Sequence, residues 1–482
     1  MKKKSLKSNA LLSGIQKLFS IIFPLITFPY ITRILLVDTI GQINFAKSVI
    51  SYFVLFSALG INNYAIREGS RIKDDKKQID TFCSQMFSIN ILSTLISYIL
   101  MIIIFVIWPG SRNYSTFLLI ESITIVGGTI GVNWLYSIFE EYRYIAIRTI
   151  FFQFVSLILM FLLVKTKNDG IKYVWITVIS AVGANIFNFI HSKKFVDLKI
   201  ILNMNLKKHF KPILTIFASA VAVSIYVNSD VTILGWIKGD YDVGLYSVSV
   251  RIYTIIKQLV ASMVVVTLPR ASEYLGSKDY KKYKDIINTL FNFIFTFTIP
   301  IGIGMACLSK DIIYIISGEK YIGATASLVI LSISIIFSVF SSFTTYAVIL
   351  PNKHDKVQLI ATIISAVINI VLNIIIIPFI SLNGAALTTV LAEILVFGIE
   401  IGCFMKKNNN KELKNIFSLD KKTIISTLIG SFFIIVISLF CSNLFTNEII
   451  HLIGTTIISG GVYIVICITF GNKGLKFLKN NE

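Results

Sequence analysis

The chain has 482 residues, 55% of them hydrophobic and only 15% charged, with a mean hydropathy of +0.79. Length alone would accommodate about three soluble domains of roughly 150 residues, but so few charges cannot cover so apolar an interior in water, and the same composition excludes a disordered chain. An all-α polytopic membrane protein remains. The five cysteines, Cys83, Cys307, Cys403, Cys441 and Cys467, are odd in number, isolated and set in apolar stretches. They read as small buried hydrophobes rather than as a disulfide framework.

Fourteen segments are long enough to cross a hydrocarbon core about 30 Å thick. They lie near 9–31, 39–63, 81–108, 116–138, 149–164, 173–190, 212–237, 244–268, 287–308, 322–350, 358–377, 384–405, 423–441 and 450–470. With the first residues inside, 33 of the 45 Lys and Arg fall in cytoplasmic segments, 8 in the opposite loops and 4 within spans. That is the positive-inside pattern, so both termini are expected in the cytoplasm. It also accounts for most of the net charge of +20. Bases spread over eight short segments offer no surface for a duplex, so nucleic acid is not an expected partner. The start Met1-Lys2-Lys3-Lys4 resembles a signal peptide, but the apolar run behind it is long, holds Pro24 and Pro29 and lacks a small-x-small cleavage site. A retained first helix is expected. The loops are short and leave no room for a soluble catalytic domain, so function must sit in the helices.

The chain repeats itself at an offset of 203 residues: Ile40–Ala46 lines up with Val243–Ser249, with Asn44 over Ser247, Ser48 over Arg251, Ser51 over Thr254 and Thr27 over Asp230. The offset spans six helices, an even number, so both halves enter the membrane in the same direction and the repeat is parallel. The expected organisation is an N-terminal lobe over 1–205 with helices 1–6, a C-terminal lobe over 206–410 with helices 7–12, and 411–482 with two extra helices and a cytoplasmic tail.

A charge at mid-membrane costs about 2.5–3.5 kcal/mol on insertion scales, so each one needs a reason. The first helix carries Ser13, Gln16, Lys17, Ser20, Pro24 and Thr27 on one face; the second carries Asn44, Lys47, Ser48 and Ser51; the eighth carries Ser247, Arg251, Thr254 and Gln258, with Lys257 beside them. Snorkelling to the interface is the plain alternative for Lys17 and Lys47, whereas Lys257 lies too deep for it. Lys17, Lys47, Arg251 and Lys257 all come from the repeated first helix pairs. They are expected to line a hydrated cationic cavity between the lobes, suited to an anionic substrate, with Asn44, Ser48, Ser247 and Gln258 as polar neighbours. The in-span acids are Asp230, Glu393 and, nearer helix ends, Glu121 and Glu400; one of them is expected to carry a coupling proton, with Asp230 and Glu393 the candidates for ion coupling and a structural ion pair as the alternative for Asp230. Asn185 with Asn188, and Asn369 with Asn373, share faces and read as interhelical hydrogen-bond glue. No catalytic constellation, metal-ligand cluster, phosphate loop, serine elbow or cofactor motif is found, so an enzyme is not expected and no metal or other cofactor is implied.

The stretches Phe23-Pro24-Leu25-Ile26-Thr27-Phe28-Pro29-Tyr30-Ile31-Thr32-Arg33, Ile40-Gly41-Gln42-Ile43-Asn44-Phe45-Ala46, Ser51-Tyr52-Phe53 and Leu59-Gly60-Ile61-Asn62-Asn63-Tyr64-Ala65-Ile66-Arg67-Glu68 resemble the polysaccharide-transport (Wzx-type) branch of the multidrug/oligosaccharidyl-lipid/polysaccharide (MOP) exporter superfamily. Gly318-Glu319-Lys320-Tyr321, Asn369 to Asn373, Pro378 and Asn383-Gly384-Ala385-Ala386 also look like that family. The resemblance covers nearly the whole chain. It implies a two-lobe helical flippase of the cytoplasmic membrane that moves undecaprenyl-diphosphate-linked oligosaccharide repeat units by alternating access, alongside a polymerase and other glycan-assembly proteins. Arg33 and Arg67 match its motif at helix ends, where gating or topology is the alternative to head-group contact. The alternatives are a multidrug or cation antiporter of the same superfamily and a peptidoglycan-precursor flippase. A membrane polymerase would need a large outer loop, which is absent.

Overall fold

The computed structural model describes residues 6–265, 268–407 and 416–475. Helices and short turns account for them, with no strand among the described residues, as hydrocarbon demands of a chain that must satisfy its own backbone. Twelve helices among the described residues are long and apolar enough to cross a membrane. The expected fourteen differ from these at two places. The helix Asp355–Lys407 leaves helical geometry at Ile380 (φ −124°, ψ 17°) and Ser381 (φ 48°, ψ −129°), just after Pro378, so one long element is two helices meeting at a kink. The second place is Asp240–Val265, 26 residues that carry Arg251 and Lys257, which is not among the twelve.

The chain divides into two compact units, Met1–Gly235 and Trp236–Glu482. The first is built from α1 (Leu6–Ile34), α2 (Val37–Ala58), α3 (Ile61–Ile72), α4 (Lys76–Ile107), α5 (Ser115–Ile130), α6 (Asn133–Ile138), α7 (Tyr142–Leu163), α8 (Gly170–Ser192) and most of α9 (Leu206–Lys238). Here α2 packs on α4 and α5, α5 on α8, α8 on α7, and α7 on α1. Along α4 hydroxyls share the buried face with Phe82, Met86 and Ile89, and large apolar residues also face outward, unlike a soluble helix. Ser84, Ser88, Ser93, Thr94 and Ser97 are buried, while Leu95, Ile99, Ile102 and Val106 are exposed. Lipid tails are as apolar as leucine, so helices in a membrane gain little from hiding apolar faces from one another; close packing and hydrogen bonds hold them instead. The hydroxyls of Ser57 (α2), Thr94 (α4) and Thr129 (α5) form such a knot, with separations of 2.8, 2.6 and 3.2 Å. Between α5 and α8 the expected amides carry the contact: Asn185 Nδ2 donates to Gly127 O at 2.9 Å and Asn188 Nδ2 to Gly131 O at 3.0 Å.

In the loop before α8, the Lys172 ammonium at 2.7 Å and the amides of Lys165 and Thr166 hold the Asp169 carboxyl well below the usual carboxylate range. A depressed carboxyl lends its stability above its unfolded titration point and loses it only on acidification, so this loop stays tied at neutral pH.

The second unit contains α10 (Asp240–Val265), α11 (Leu268–Gly276), α12 (Tyr280–Cys307), α13 (Ser309–Ser317), α14 (Thr325–Phe343), α15 (Asp355–Lys407), α16 (Lys421–Leu444) and α17 (Glu448–Thr469). Its α14 lies against α10, α12 and α15, and α16 against α12 and α17. Polar knots recur. Ser249 of α10 donates to Ala324 O at 2.9 Å. Asn472 joins α12 to α16 by accepting from Thr296 at 3.0 Å and donating to Ser426 at 2.8 Å.

A Cβ on Gly131 would stand 2.6 Å from Asn185 Cγ, whereas one on Gly128 would meet nothing within 4 Å. Gly131→Val is expected to destabilise the protein by about 1–3 kcal/mol, the range of core overpacking. It should lower the thermal midpoint of the detergent-solubilised protein, while Gly128→Ala leaves it in place.

Candidate functional site

The charged and polar candidates are placed by their own unit. In the first, α2 presents Lys47 as one wall of a cavity of about 220 Å³ whose other polar lining is Ser51, Glu121, Thr124 and Thr177, from α2, α5 and α8. Glu121 is buried, 4% exposed, and lies within electrostatic reach of Lys47. The two opposite charges therefore share one pocket, the lysine more open than the acid. Asn44 and Ser48 do other things. Asn44 Nδ2 bonds back to Ile40 O at 2.9 Å. Ser48 is buried, donates to Phe45 O at 2.7 Å and accepts from Thr232 of α9 at 3.0 Å. Asp230, one half-turn before Thr232, is buried too and bears on the Tyr52 hydroxyl. The side chain of Lys17 lies outside the described residues.

Arg33 is exposed in the last turn of α1. Arg67 sits on the amphipathic α3, where its Nε bonds Glu68 at 2.9 Å and its guanidinium lies 5.7 Å from the Tyr64 ring centre. Arg71 joins the same carboxylate at 3.0 Å. That surface network is worth little energy, on the order of 1 kcal/mol or less per pair, and it fixes the guanidinium on α3.

In the second unit the eighth expected span becomes α10, and its polar residues part company. Ser247, Arg251 and Gln258 recur at four and seven residues, on one helix face; Ser247 is buried and bonds back to Val243 O at 2.7 Å, Arg251 is half-buried and Gln258 exposed. Lys257 follows Arg251 by six residues, a rotation of about 120° around the helix at roughly 100° per residue. It turns instead toward α15, where its Nζ meets Glu393 Oε1 at 2.5 Å. The Tyr253 hydroxyl donates to the same carboxylate oxygen at 3.2 Å and stands 3.3 Å from the ammonium. Glu393 is 5% exposed at its side chain and Lys257 keeps 28%, so the pair is anchored in the unit's core with the lysine still reachable. Tyr253 is the neighbour of this pair that the reading of stripes passed over, while Glu121 and Glu400 were noted there as in-span acids. The signal for Tyr253 is its place four residues before Lys257, one turn away. Among the described residues no group of three or more His, Cys, Asp or Glu is arranged to hold a metal ion.

A profile of the polysaccharide biosynthesis protein family matches residues 6–275, more than half of the chain. The chain belongs to that family. A profile described as MatE matches residues 215–375, and the two together place the protein in the MOP superfamily of membrane transporters, as its polysaccharide-transport branch. A relative from Escherichia coli K12 named "Putative O-antigen transporter" is 24% identical over 277 residues, 57% of this chain; the chain spans 66% of that relative's length, just under two thirds. An uncharacterized membrane protein of Methanocaldococcus jannaschii is 25% identical over 502 aligned positions, covering 94% of this chain and 93% of its own. Among solved structures, the lipid II flippase MurJ in an inward closed conformation matches with a TM-score of 0.73 at 18% identity, over 98% of this chain and 100% of its own. An inward-facing MATE multidrug transporter matches with a TM-score of 0.63 at 15% identity, over 82% of this chain and 96% of its own. At such identities the likeness is one of fold: a multi-pass, all-helical membrane protein.

Removing one member of a buried ion pair costs about 3–5 kcal/mol, whereas replacing both by apolar groups of similar size is often close to neutral. Lys257→Met in this transporter is therefore expected to lower thermal stability markedly, and adding Glu393→Met should restore most of it. Melting curves of the two variants in one detergent decide it; equal losses in both would show that the pair contributes nothing.

Proposed function

We propose that the protein is a flippase of the cytoplasmic membrane that translocates undecaprenyl-diphosphate-linked oligosaccharide repeat units by alternating access, with both termini cytoplasmic, for the assembly of a capsule, exopolysaccharide or O-antigen type of surface glycan. The observation that carries this reading is the presence of cations on membrane helices of a polysaccharide-transport family member. Lys47 opens onto the cavity of the first unit, and Arg251 lies half-buried on α10 of the second.

A diphosphate cannot cross hydrocarbon unaided, because an isolated charge costs tens of kcal/mol by Born solvation. Ammonium and guanidinium groups along a hydrated path lower that barrier and give charge-assisted hydrogen bonds to phosphoryl oxygens, while the polyprenyl tail stays in lipid. Lys17, Lys47, Arg251 and Lys257 are the proposed head-group cations, with Asn44, Ser48, Ser247 and Gln258 as polar neighbours. Arg33 and Arg67 serve gating or head-group contact, and Asp230 or Glu393 serves ion coupling. The partners are the lipid-linked glycan, the surrounding lipids, a polymerase and other assembly proteins. The names of two relatives support the substrate class: one is called an O-antigen transporter and the other a lipid II flippase.

In a strain that depends on this protein for its surface glycan, Arg251→Ala should abolish the glycan while the protein remains in the membrane at normal abundance. Glycan stained at the wild-type level in that variant would count against the cationic path. Conferred resistance to cationic drugs without any glycan phenotype would favour the antiporter instead.

A further inference from the structure

The second unit holds a buried carboxyl group that the reading above leaves without a role. Glu400 follows Glu393 by seven residues on α15, two turns or about 10.5 Å along the same face, and its relative exposure is 0%. Thr345 Oγ1 donates to Glu400 Oε1 at 2.6 Å, and Ser341 Oγ lies 3.4 Å from Oε2. Both partners are neutral, and among the described residues the charged group that bears on it is another acid, Glu393. An ionised carboxylate cut off from water and from any cation is expensive. A bound proton supplies the balance that its surroundings lack. Thr345 belongs to a stretch, Thr344–Ile349, wound as a π-helix, with Leu350 N bonded to Thr345 O at 3.0 Å. Such insertions recur at functional sites.

From Glu400 a row of buried hydroxyls leads to the ion pair. α14 carries Ser341, Ser338 and Ser334 at intervals of three and four residues, all 7% exposed or less, so successive members stand about 5–6 Å apart on one face, a gap that one water spans. Ser334 Oγ lies 3.2 Å from the Tyr253 hydroxyl, and Ser338 flanks that hydroxyl as well. Tyr253 donates to Glu393. The elements packed around the seam thus present Tyr253 and Lys257 from α10, the three serines and Thr345 from α14 and its π-helical extension, and the two glutamates from α15.

We propose that this seam is a proton relay in which Glu400 stores a proton, passes it along the hydroxyls to Glu393, and thereby releases the Lys257 ammonium. In the transfer the carboxyl O–H bond of Glu400 breaks and a carboxyl O–H bond forms on Glu393. Each hydroxyl between them accepts one proton and gives one up. Glu400 becomes anionic, Glu393 becomes neutral, and the net charge of the seam is unchanged. Lys257 keeps its proton and loses its counter-charge, so its partly exposed ammonium takes an anion instead. Only this last step rests on the transport reading; storage and transfer of the proton do not.

The test uses the full-length protein in lipid nanodiscs. Infrared difference spectra taken from acid to alkaline pH should show a protonated-carboxyl band that bleaches as the pH rises. Glu400→Gln should remove that band, and Thr345→Val, which deletes its hydroxyl donor, should shift it. A band left intact by Glu400→Gln overturns the proton store. The second arm measures binding of inorganic pyrophosphate. Glu393→Gln mimics the protonated acid and should tighten binding about tenfold, the worth of a new charge-assisted contact; adding Lys257→Gln should erase the gain. Unchanged pyrophosphate binding in Glu393→Gln overturns the release of Lys257. Neither readout involves a glycan, so failure to flip a lipid-linked glycan would strike the transport reading and leave the relay standing.

Discussion

A polar side chain in hydrocarbon has only protein to bond to, and the architecture of both units follows from that constraint. The hydroxyls of Ser57, Thr94 and Thr129 bind three helices at one point, Asn185 and Asn188 clamp α8 to the carbonyls of α5, and Asn472 ties the chain after α17 back to α12 and α16. Each contact satisfies groups that would otherwise cost about 1–3 kcal/mol apiece when buried alone. Many apolar side chains do the opposite of their work in a soluble protein: Leu95, Ile99, Phe154, Leu439 and Ile457 face outward, where lipid replaces water as solvent.

The same constraint governs the charges. A lone ammonium or carboxylate inside a helix bundle is unfavourable, so each unit pairs them. Lys47 shares a cavity with Glu121, and Lys257 meets Glu393 under the Tyr253 hydroxyl. Such pairs are weak evidence for stability, since well-packed apolar residues often serve as well or better. Glu400, held among the described residues by hydroxyls, departs from the pairing rule in the second unit and is for that reason its most informative acid.

Family and fold add a direction to this picture. The matched profile spans the first unit and the start of the second, and the MatE profile runs from α9 into α15. The two profiles overlap along α9 to α11, the region in which the polar residues of α10 divide between an Arg251 face and a Lys257 face. That division puts a half-buried Arg251 on one side of the helix and the Glu393-bound Lys257 on another.

Much of this was legible in the residues themselves. Composition and the long continuous apolar runs required a helical membrane protein, because such runs satisfy their backbone in lipid as helices, whereas the strands of a barrel alternate apolar and polar. The spacing of Asn185 and Asn188 announced an interhelical contact, and the motif over 23–68 pointed to the family. Periodicity also marked Lys47, Arg251 and Lys257 as unusual. It could not say what each would meet. The angle of a residue about its own helix axis is set by position in the chain, but its partner is set by which helix packs alongside, a choice made by side chains distant in sequence. For that reason only the tertiary structure turned Lys257 away from Arg251 toward Glu393, set Ser48 against Thr232, and brought a π-helical Thr345 onto Glu400.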